Sequence, residues 1–154
     1  MIDSVIVRDV EPADGARWRD LWKDYCDFYG TTMPEAVTDE TWRRILDVDT
    51  PSFGAIVAER DDSIIGFANY VLHPYTWAIG DQCLLHDLYV APDVRGGGVG
   101  EQLIRFLQHR GAERGWTHLY WLTHETNARA RRLYDRFAPA SGFIRYTVPV
   151  EEAT

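Results

Sequence analysis

Leu88-Tyr89-Val90-Ala91-Pro92-Asp93-Val94-Arg95-Gly96-Gly97-Gly98-Val99-Gly100-Glu101-Gln102-Leu103 is the stretch on which the reading of this chain turns. An apolar strand over 83–90 leads into it and is closed by Ala91-Pro92-Asp93. A helix leaves it, from Gly98 to about Arg114, with Val99, Leu103, Phe106 and Leu107 on its apolar face and Gly115 at its end. Glycines between a strand and a helix let the backbone approach a ligand closely. The free N–H groups at the helix start, with the positive end of its dipole, then suit a phosphate. Two common phosphate loops do not fit. A nucleotide-triphosphatase loop ends in Gly-Lys-Ser/Thr, where this chain has Val99-Gly100-Glu101. A dinucleotide fingerprint begun at Gly96 needs glycine where Glu101 stands, and it normally follows the first strand of its unit. A different phosphate-bearing ligand, or a glycine-rich turn without one, is left.

Working outward, residues 4–9 alternate around Val5 and Val7 as a short strand. Glu11-Pro12 opens a helix that carries Trp18, Leu21, Trp22, Tyr25, Phe28 and Tyr29 at helical spacing and stops at Gly30. Thr38 or Asp39 caps a second, short helix with Trp42, Ile45 and Leu46. Residues 53–59 and 64–72 are strands joined by the turn Arg60-Asp61-Asp62-Ser63. Beyond the glycine stretch come a strand over 119–122, a helix over 127–137 and a last strand over 143–148. The predicted order is β-α-α-β-β-β-α-β-α-β. Its late β-α-β unit implies a parallel pair inside an otherwise antiparallel sheet, an α/β fold in one domain spanning 1–154.

Composition sets outer bounds. At 45% apolar and 13% aromatic residues, the chain can build a packed core and is not a disordered polymer. It has no apolar run near the ~18 residues that cross a bilayer. The opening Met1-Ile2-Asp3-Ser4-Val5 lacks a basic-then-apolar secretion signal, so a cytoplasmic protein without a membrane partner is expected. Cys26 and Cys83 cannot make a disulfide framework or a four-ligand zinc site by themselves. The five histidines, at 73, 86, 109, 118 and 124, show no metal-ligand spacing, and no metal is expected. A net charge of −8 argues against nucleic acid as partner. That charge is uneven: residues 1–90 hold 17 acidic and 7 basic side chains, a net of −10, while residues 91–154 net +2. An acidic half that receives a cation and a basic half that holds an anion is one reading; solvated helix faces are the plainer one.

Arg95-x-x-Gly98-x-Gly100, with the Leu-x-Val-x-Pro strand end before it, resembles the Arg/Gln-x-x-Gly-x-Gly/Ala signature of the GNAT acetyltransferase superfamily. Asn127-Ala128-Arg129-Ala130-Arg131-Arg132-Leu133-Tyr134 resembles the family's second signature, and Gly142-Phe143 its closing Gly-Phe. The Arg17–Tyr29 helix, His86-Asp87-Leu88-Tyr89-Val90, and Tyr120-Trp121 leading to Glu125-x-Asn127-x-Arg129-Ala130 look like the histone/polyamine-type and D-amino-acid N-acetyltransferase branch and its bacterial relatives. Phe137-Ala138-Pro139-Ala140-Ser141 lengthens the segment before Gly142 beyond the family's common spacing.

The resemblance implies an N-acetyltransferase that binds acetyl-CoA and transfers its acetyl group to a primary amine by direct attack in a ternary complex. The acceptor would be a cationic small amine, polyamine, amino acid or basic peptide. The resemblance puts the pyrophosphate on the backbone of Gly96, Gly97, Gly98, Val99 and Gly100 next to Arg95, and the pantetheine arm on Leu88, Tyr89 and Val90. Asn127, Ala130, Arg131 and Tyr134 share one helix face at i, i+3, i+4 and i+7. Asn127 and Arg131 would then hold the cofactor, and Tyr134 would protonate the leaving thiolate, as a phenol with pKa ~10 can. The base is open among Asp87, His86 and Glu125. Neighbouring strand residues face opposite ways, so Asp87 and His86 do not both point at the acceptor, and Asp87, sharing a face with Tyr89, is preferred. Tyr29, Trp77 and Glu125 are candidates for the acceptor pocket. Relatives commonly pair through late strands, so a homodimer is a further candidate. The rival reading is a catalytically silent GNAT domain that binds acyl-CoA as a sensor or scaffold.

Overall fold

The structure, a computed structural model, describes residues 4–150. They fall into two compact units, one reaching Leu122 and one beginning at Thr123. The first unit holds a five-stranded sheet in chain order: β1 (Ile6–Asp9), β2 (Phe53–Arg60), β3 (Ser63–His73), β4 (Gln82–Val90) and β5 (His118–Tyr120). The first four strands are antiparallel, and β4 pairs with β5 in parallel. Helices α1 (Gly15–Phe28) and α2 (Glu35–Leu46) precede β2, and α3 (Val99–Arg114) connects β4 to β5. The mixed sheet with its one parallel pair is the architecture that the order of elements predicts.

Local chemistry sets the element ends. Pro12–Asp14 forms a single 3-10 turn before α1. Its Asp14 accepts the Glu11 N–H at 2.7 Å and both guanidinium nitrogens of Arg8, at 2.8 and 3.0 Å, which pins α1 to β1. Asp61 and Asp62 at the β2–β3 turn have φ of 51° and 60°, the left-handed pair that a two-residue hairpin requires and Asp tolerates. α2 starts directly behind Pro34 and not at Thr38 or Asp39. Those two residues tie α2 to α1 instead: Thr38 accepts the Trp22 indole N–H at 3.0 Å, and Asp39 pairs with Arg19 at 2.7 Å.

Both sheet faces are covered. On one, Trp18 and Trp22 stack 5.5 Å apart, and Trp18 lies 6.0 Å from Phe67 and 5.0 Å from Trp42 of α2. On the other, Leu103, Ile104 and Leu107 of α3 are buried, and Arg110 reaches Asp9 at 2.6 Å and the Tyr70 hydroxyl at 3.2 Å. Burying each such apolar side chain contributes about 1.5–3 kcal/mol.

β4 contains a bulge. Tyr70 of β3 stands opposite Leu85, while Asn69 stands opposite Asp87, leaving His86 as the extra residue. Across a bulge the side-chain alternation slips by one. Leu85 therefore shares the α3 face with Tyr70, whereas Asp87 and Tyr89 share the α1 face with Asn69 and Phe67.

In the second unit, Asn127 caps α4 (Ala128–Tyr134) by accepting the Ala130 N–H at 3.3 Å. The helix is shorter than the expected 127–137, with Asp135–Phe137 as a turn. The strand expected over 143–148 does not form; among the described residues no strand follows α4, and Phe143, Ile144, Tyr146 and Val148 are exposed. Alternating apolar residues give a segment the capacity to be a strand, but its backbone groups need a neighbouring edge to pair with. No described helix is long and apolar enough to cross a membrane.

Candidate active site

The parallel ladder between β4 and β5 is short: Gln82, Cys83 and Leu84 pair with His118, Leu119 and Tyr120. β4 then continues for six residues, Leu85 to Val90, beyond the end of β5's pairing. The Ala91 N–H is bound to the Ile65 carbonyl on the β3 side at 2.8 Å. Strand alternation turns the backbone of Leu88 and the N–H of Val90 the other way, the Val90 carbonyl on that side accepting from Arg95. The result is a strip of strand edge that an extended, amide-bearing chain can join.

The glycine loop follows directly. Gly96 and Gly98 have φ of +89° and +81°, conformations that side chains disfavour, and a Cβ at either would meet nothing within 4 Å. Gly96, Gly97 and Gly98 are exposed. The first helical bond of α3 runs from the Gln102 N–H to the Gly98 carbonyl at 3.1 Å, and no side chain caps the helix. The amides of Val99 and Gly100 thus lie in an uncapped first turn at the positive end of the dipole. The Arg95 side chain is turned toward the strand end. Its Nε donates to the Val90 carbonyl at 2.9 Å, and its guanidinium lies 5.1 Å from the Tyr89 ring centroid and 5.9 Å from that of Phe28. It ties the loop to β4 and to the end of α1.

Asp87 lies three residues before Val90 with only 9% of its surface exposed. Asn69 donates to its Oδ2 at 3.1 Å, and the His86 ring lies 3.3 Å from its Oδ1. No Arg or Lys pairs with it among the described residues. Tyr25 stands beside this carboxylate; burial first, then Asp87, holds its phenol well above the usual value. Tyr29, 4.9 Å from Tyr25 ring to ring, is raised by the same two causes. Cys26 is raised by burial and by Asp87, and burial pushes the Cys83 thiol up to about 12, so neither offers a thiolate at neutral pH.

The first unit thus brings Asp87, Leu88, Tyr89, Val90, Arg95 and the glycines to one end of β4, and Tyr29 to the Asp87 side. The exclusion of His86 by strict alternation does not hold, because the bulge lets its ring reach the neighbouring carboxylate. Trp77 is elsewhere: it is 84% exposed in the β3–β4 connection, against Tyr75. That connection enters β4 at Gln82, about 16 Å of strand from Asp87 at ~3.3 Å per residue. In the second unit, Tyr134 is half-buried, Glu125 is exposed, and Arg131 donates to the Glu125 carbonyl at 2.7 Å. Sequence reasoning gives no role to Asn69, an amide inside the apolar run 64–72, and places Tyr25 only by its helical spacing. A lone polar side chain amid buried strand residues was the available signal.

Comparison with known proteins gives the family. Residues 17–138 match the model of the acetyltransferase (GNAT) family. A D-amino-acid N-acetyltransferase of Saccharomyces cerevisiae is 35% identical over 145 residues, covering 94% of this chain and 90% of that one. An aminoglycoside N(6')-acetyltransferase type 1 of Klebsiella aerogenes is 30% identical, over 83% and 84% of the two chains. Among solved structures, an aminoglycoside N-acetyltransferase in complex with the bisubstrate analogue CoA-S-monomethyl-acetylneamine superposes with a TM-score of 0.81 at 21% identity, covering 97% of this chain and 99% of the other. The exposed glycine backbone, the uncapped helix start and the open edge of β4 fit the pyrophosphate and amide-bearing arm of CoA. This chain belongs to the GNAT acetyltransferase family, the acetyl-CoA-dependent N-acetyltransferases.

Proposed function

We propose that this enzyme acetylates the primary amine of a small cationic acceptor — a polyamine, an amino acid or a basic peptide side chain — by direct attack in a ternary complex. The observation that carries the reading is Asp87: a buried carboxylate on the strand that leads into the cofactor loop, paired with no Arg or Lys among the described residues. A buried anion calls for a cationic partner, which an ammonium group supplies. Relatives named for D-amino acids, aminoglycosides and thialysine all act on amines, which agrees with this acceptor class.

Acetyl-CoA supplies an acetyl thioester. Backbone amides of Gly98, Val99 and Gly100 hold the pyrophosphate, with Gly96, Gly97 and Arg95 shaping the loop. Leu88, Tyr89 and Val90 receive the pantetheine arm, and a backbone N–H there polarises the thioester carbonyl. An acceptor amine with a pKa near ~10.4 arrives protonated. Asp87 receives the ammonium and takes its proton, directly or through water, while Tyr29 flanks the acceptor. As the C–N bond forms and the C–S bond breaks, Tyr134 gives its proton to the departing thiolate. Asn127 and Arg131, on the same face of α4 as Tyr134, help hold the cofactor, and Glu125 attracts the acceptor from its exposed turn. We take 1–154 as a single domain, since the family match continues past residue 122 to residue 138. Two buried free cysteines suit a cytoplasmic setting.

Thiol release from acetyl-CoA, measured against spermidine, D- and L-amino acids, an aminoglycoside and a lysine-containing peptide, tests the reading. Turnover of at least one cationic amine, strongly reduced in Asp87→Asn, is expected. Turnover confined to acceptors that carry no ammonium group, or an Asp87→Asn variant with wild-type kinetics, would overturn it.

A further inference from the structure

Behind Asp87 lies a polar chain that the sequence does not announce. The Trp18 indole N–H donates to Asn69 Oδ1 at 3.2 Å, and Asn69 Nδ2 donates to Asp87 Oδ2 at 3.1 Å. Trp18 is fully buried, Asn69 is 5% exposed and Asp87 9% exposed. Each end of this chain dictates the other. An indole nitrogen can only donate, so the amide oxygen must face α1. The amide's NH₂ is thereby turned toward Asp87, whose carboxylate, when ionised, can only accept. The usual ambiguity of an asparagine amide is removed by chemistry at both ends.

The bulge belongs to the same device. With no extra residue at His86, continuing the Tyr70–Leu85 register would put His86 opposite Asn69 and Asp87 opposite Ala68, on the α3 face. The bulge sets Asp87 opposite Asn69 and under α1. Other groups around the carboxylate come from α1, as Tyr25 and Cys26, from Tyr29 just past its end, and from β4, as His86. β3 presents the uncharged Asn69.

We infer that Asn69, held in one orientation by Trp18, is a positioning residue that fixes the Asp87 carboxylate as an oriented anion for the acceptor amine. This rests on the reading that Asp87 meets that amine. The amide engages Oδ2, while the His86 ring lies at Oδ1 and the Tyr25 phenol shares the carboxylate. Loss of the amide removes the donor on the β3 side and leaves Asp87 held only by Tyr25 and His86, which weakens its grip on a cation. A carboxylate in the amide's place opposes it directly.

The test measures kcat and KM of the best acceptor from the amine panel across pH 5–10, with CoA affinity by calorimetry and thermal unfolding alongside. Asn69→Leu should raise the acceptor KM about 10-fold or more while CoA affinity stays within twofold. Asn69→Asp should move the acidic limb of the kcat/KM profile to higher pH. Trp18→Phe, which keeps the ring and removes the N–H, should shift both readouts the same way by a smaller amount; it carries the test if Asn69→Leu does not fold. A folded Asn69→Leu or Trp18→Phe enzyme with wild-type KM and pH profile overturns the positioning role. Asp87→Asn separates the two claims. Wild-type kinetics in Asp87→Asn removes the acceptor reading itself. Impaired Asp87→Asn beside unaffected Asn69 and Trp18 variants removes only the positioning role of Asn69.

Discussion

Gly98 allows the anion seat to be tested by charge alone. Its φ of +81° and the open space around its Cβ position mean that a new side chain meets backbone strain but no collision. An ordinary L-residue in that region costs roughly 1–2 kcal/mol, and Asn and Asp are the side chains that tolerate it best. Gly98→Asn and Gly98→Asp therefore share strain and size and differ by one negative charge. For a carboxylate about 6 Å from a phosphate, Coulomb's law gives ~0.7 kcal/mol of repulsion in a water-like medium and ~3 kcal/mol at an effective dielectric near 20. Gly98→Asp should thus bind CoA about 3- to 100-fold more weakly than Gly98→Asn, with the gap shrinking as salt rises. Calorimetry at low and high ionic strength reads both. Gly115 supplies the control: it has φ +76° and open space at the other end of α3, so Gly115→Asp should lower the melting temperature and leave CoA affinity unchanged. Equal CoA affinity in Gly98→Asp and Gly98→Asn at low salt would refute the placement of the pyrophosphate on this loop.

Tyr134→Phe should leave CoA affinity within twofold and slow single-turnover acetyl transfer by about 10²–10⁴-fold, the usual share of one general acid; an unchanged rate would move that role to water or another group. If the acidic first 90 residues steer a cationic acceptor, kcat/KM for that acceptor should fall as ionic strength rises, and a salt-independent value would show that the charge is only a solvated surface. Asp14 titrates below the ordinary carboxyl range, chiefly through its hydrogen bonds with Arg8. Its contribution to stability is accordingly complete above the unfolded value near ~3.9 and is lost as pH falls through the lower, folded one. Urea midpoints at pH 6 and pH 3 should therefore differ less in Asp14→Asn than in wild type, with most of the variant's deficit seen at pH 6.

The glycine stretch was legible because its chemistry is local. Positive φ at Gly96 and Gly98, the uncapped start of α3 and the strand before it are set by neighbours in sequence. The hairpin turn at Asp61-Asp62 was readable for the same reason. The final strand was misread because pairing is not local: the alternation of residues 143–148 is real, yet whether it becomes a strand depends on an edge supplied from elsewhere. How far Trp77 lies from Asp87 depends on which end of β4 its loop feeds, and the pattern of a single strand does not give that.

The acceptor side depended on one residue of register. Period-two reasoning put His86 and Asp87 on opposite faces, and it holds only while a ladder is uninterrupted. Burial along β4 conceals the interruption. Cys83, Leu85, Asp87 and Tyr89 are all buried, as though one face ran straight through, because α3 covers the sheet before the bulge and α1 covers the other face after it. A strand covered on both sides gives no polar stripe to mark where its faces exchange. What does mark it is a mismatch of chemistry across two strands. An amide at Asn69 and a carboxylate at Asp87, both among apolar neighbours, each lack a reason to be buried until the bulge sets them opposite one another. In a sheet closed on both faces, such stray polar residues are a better guide to register near a site than the hydrophobic pattern is.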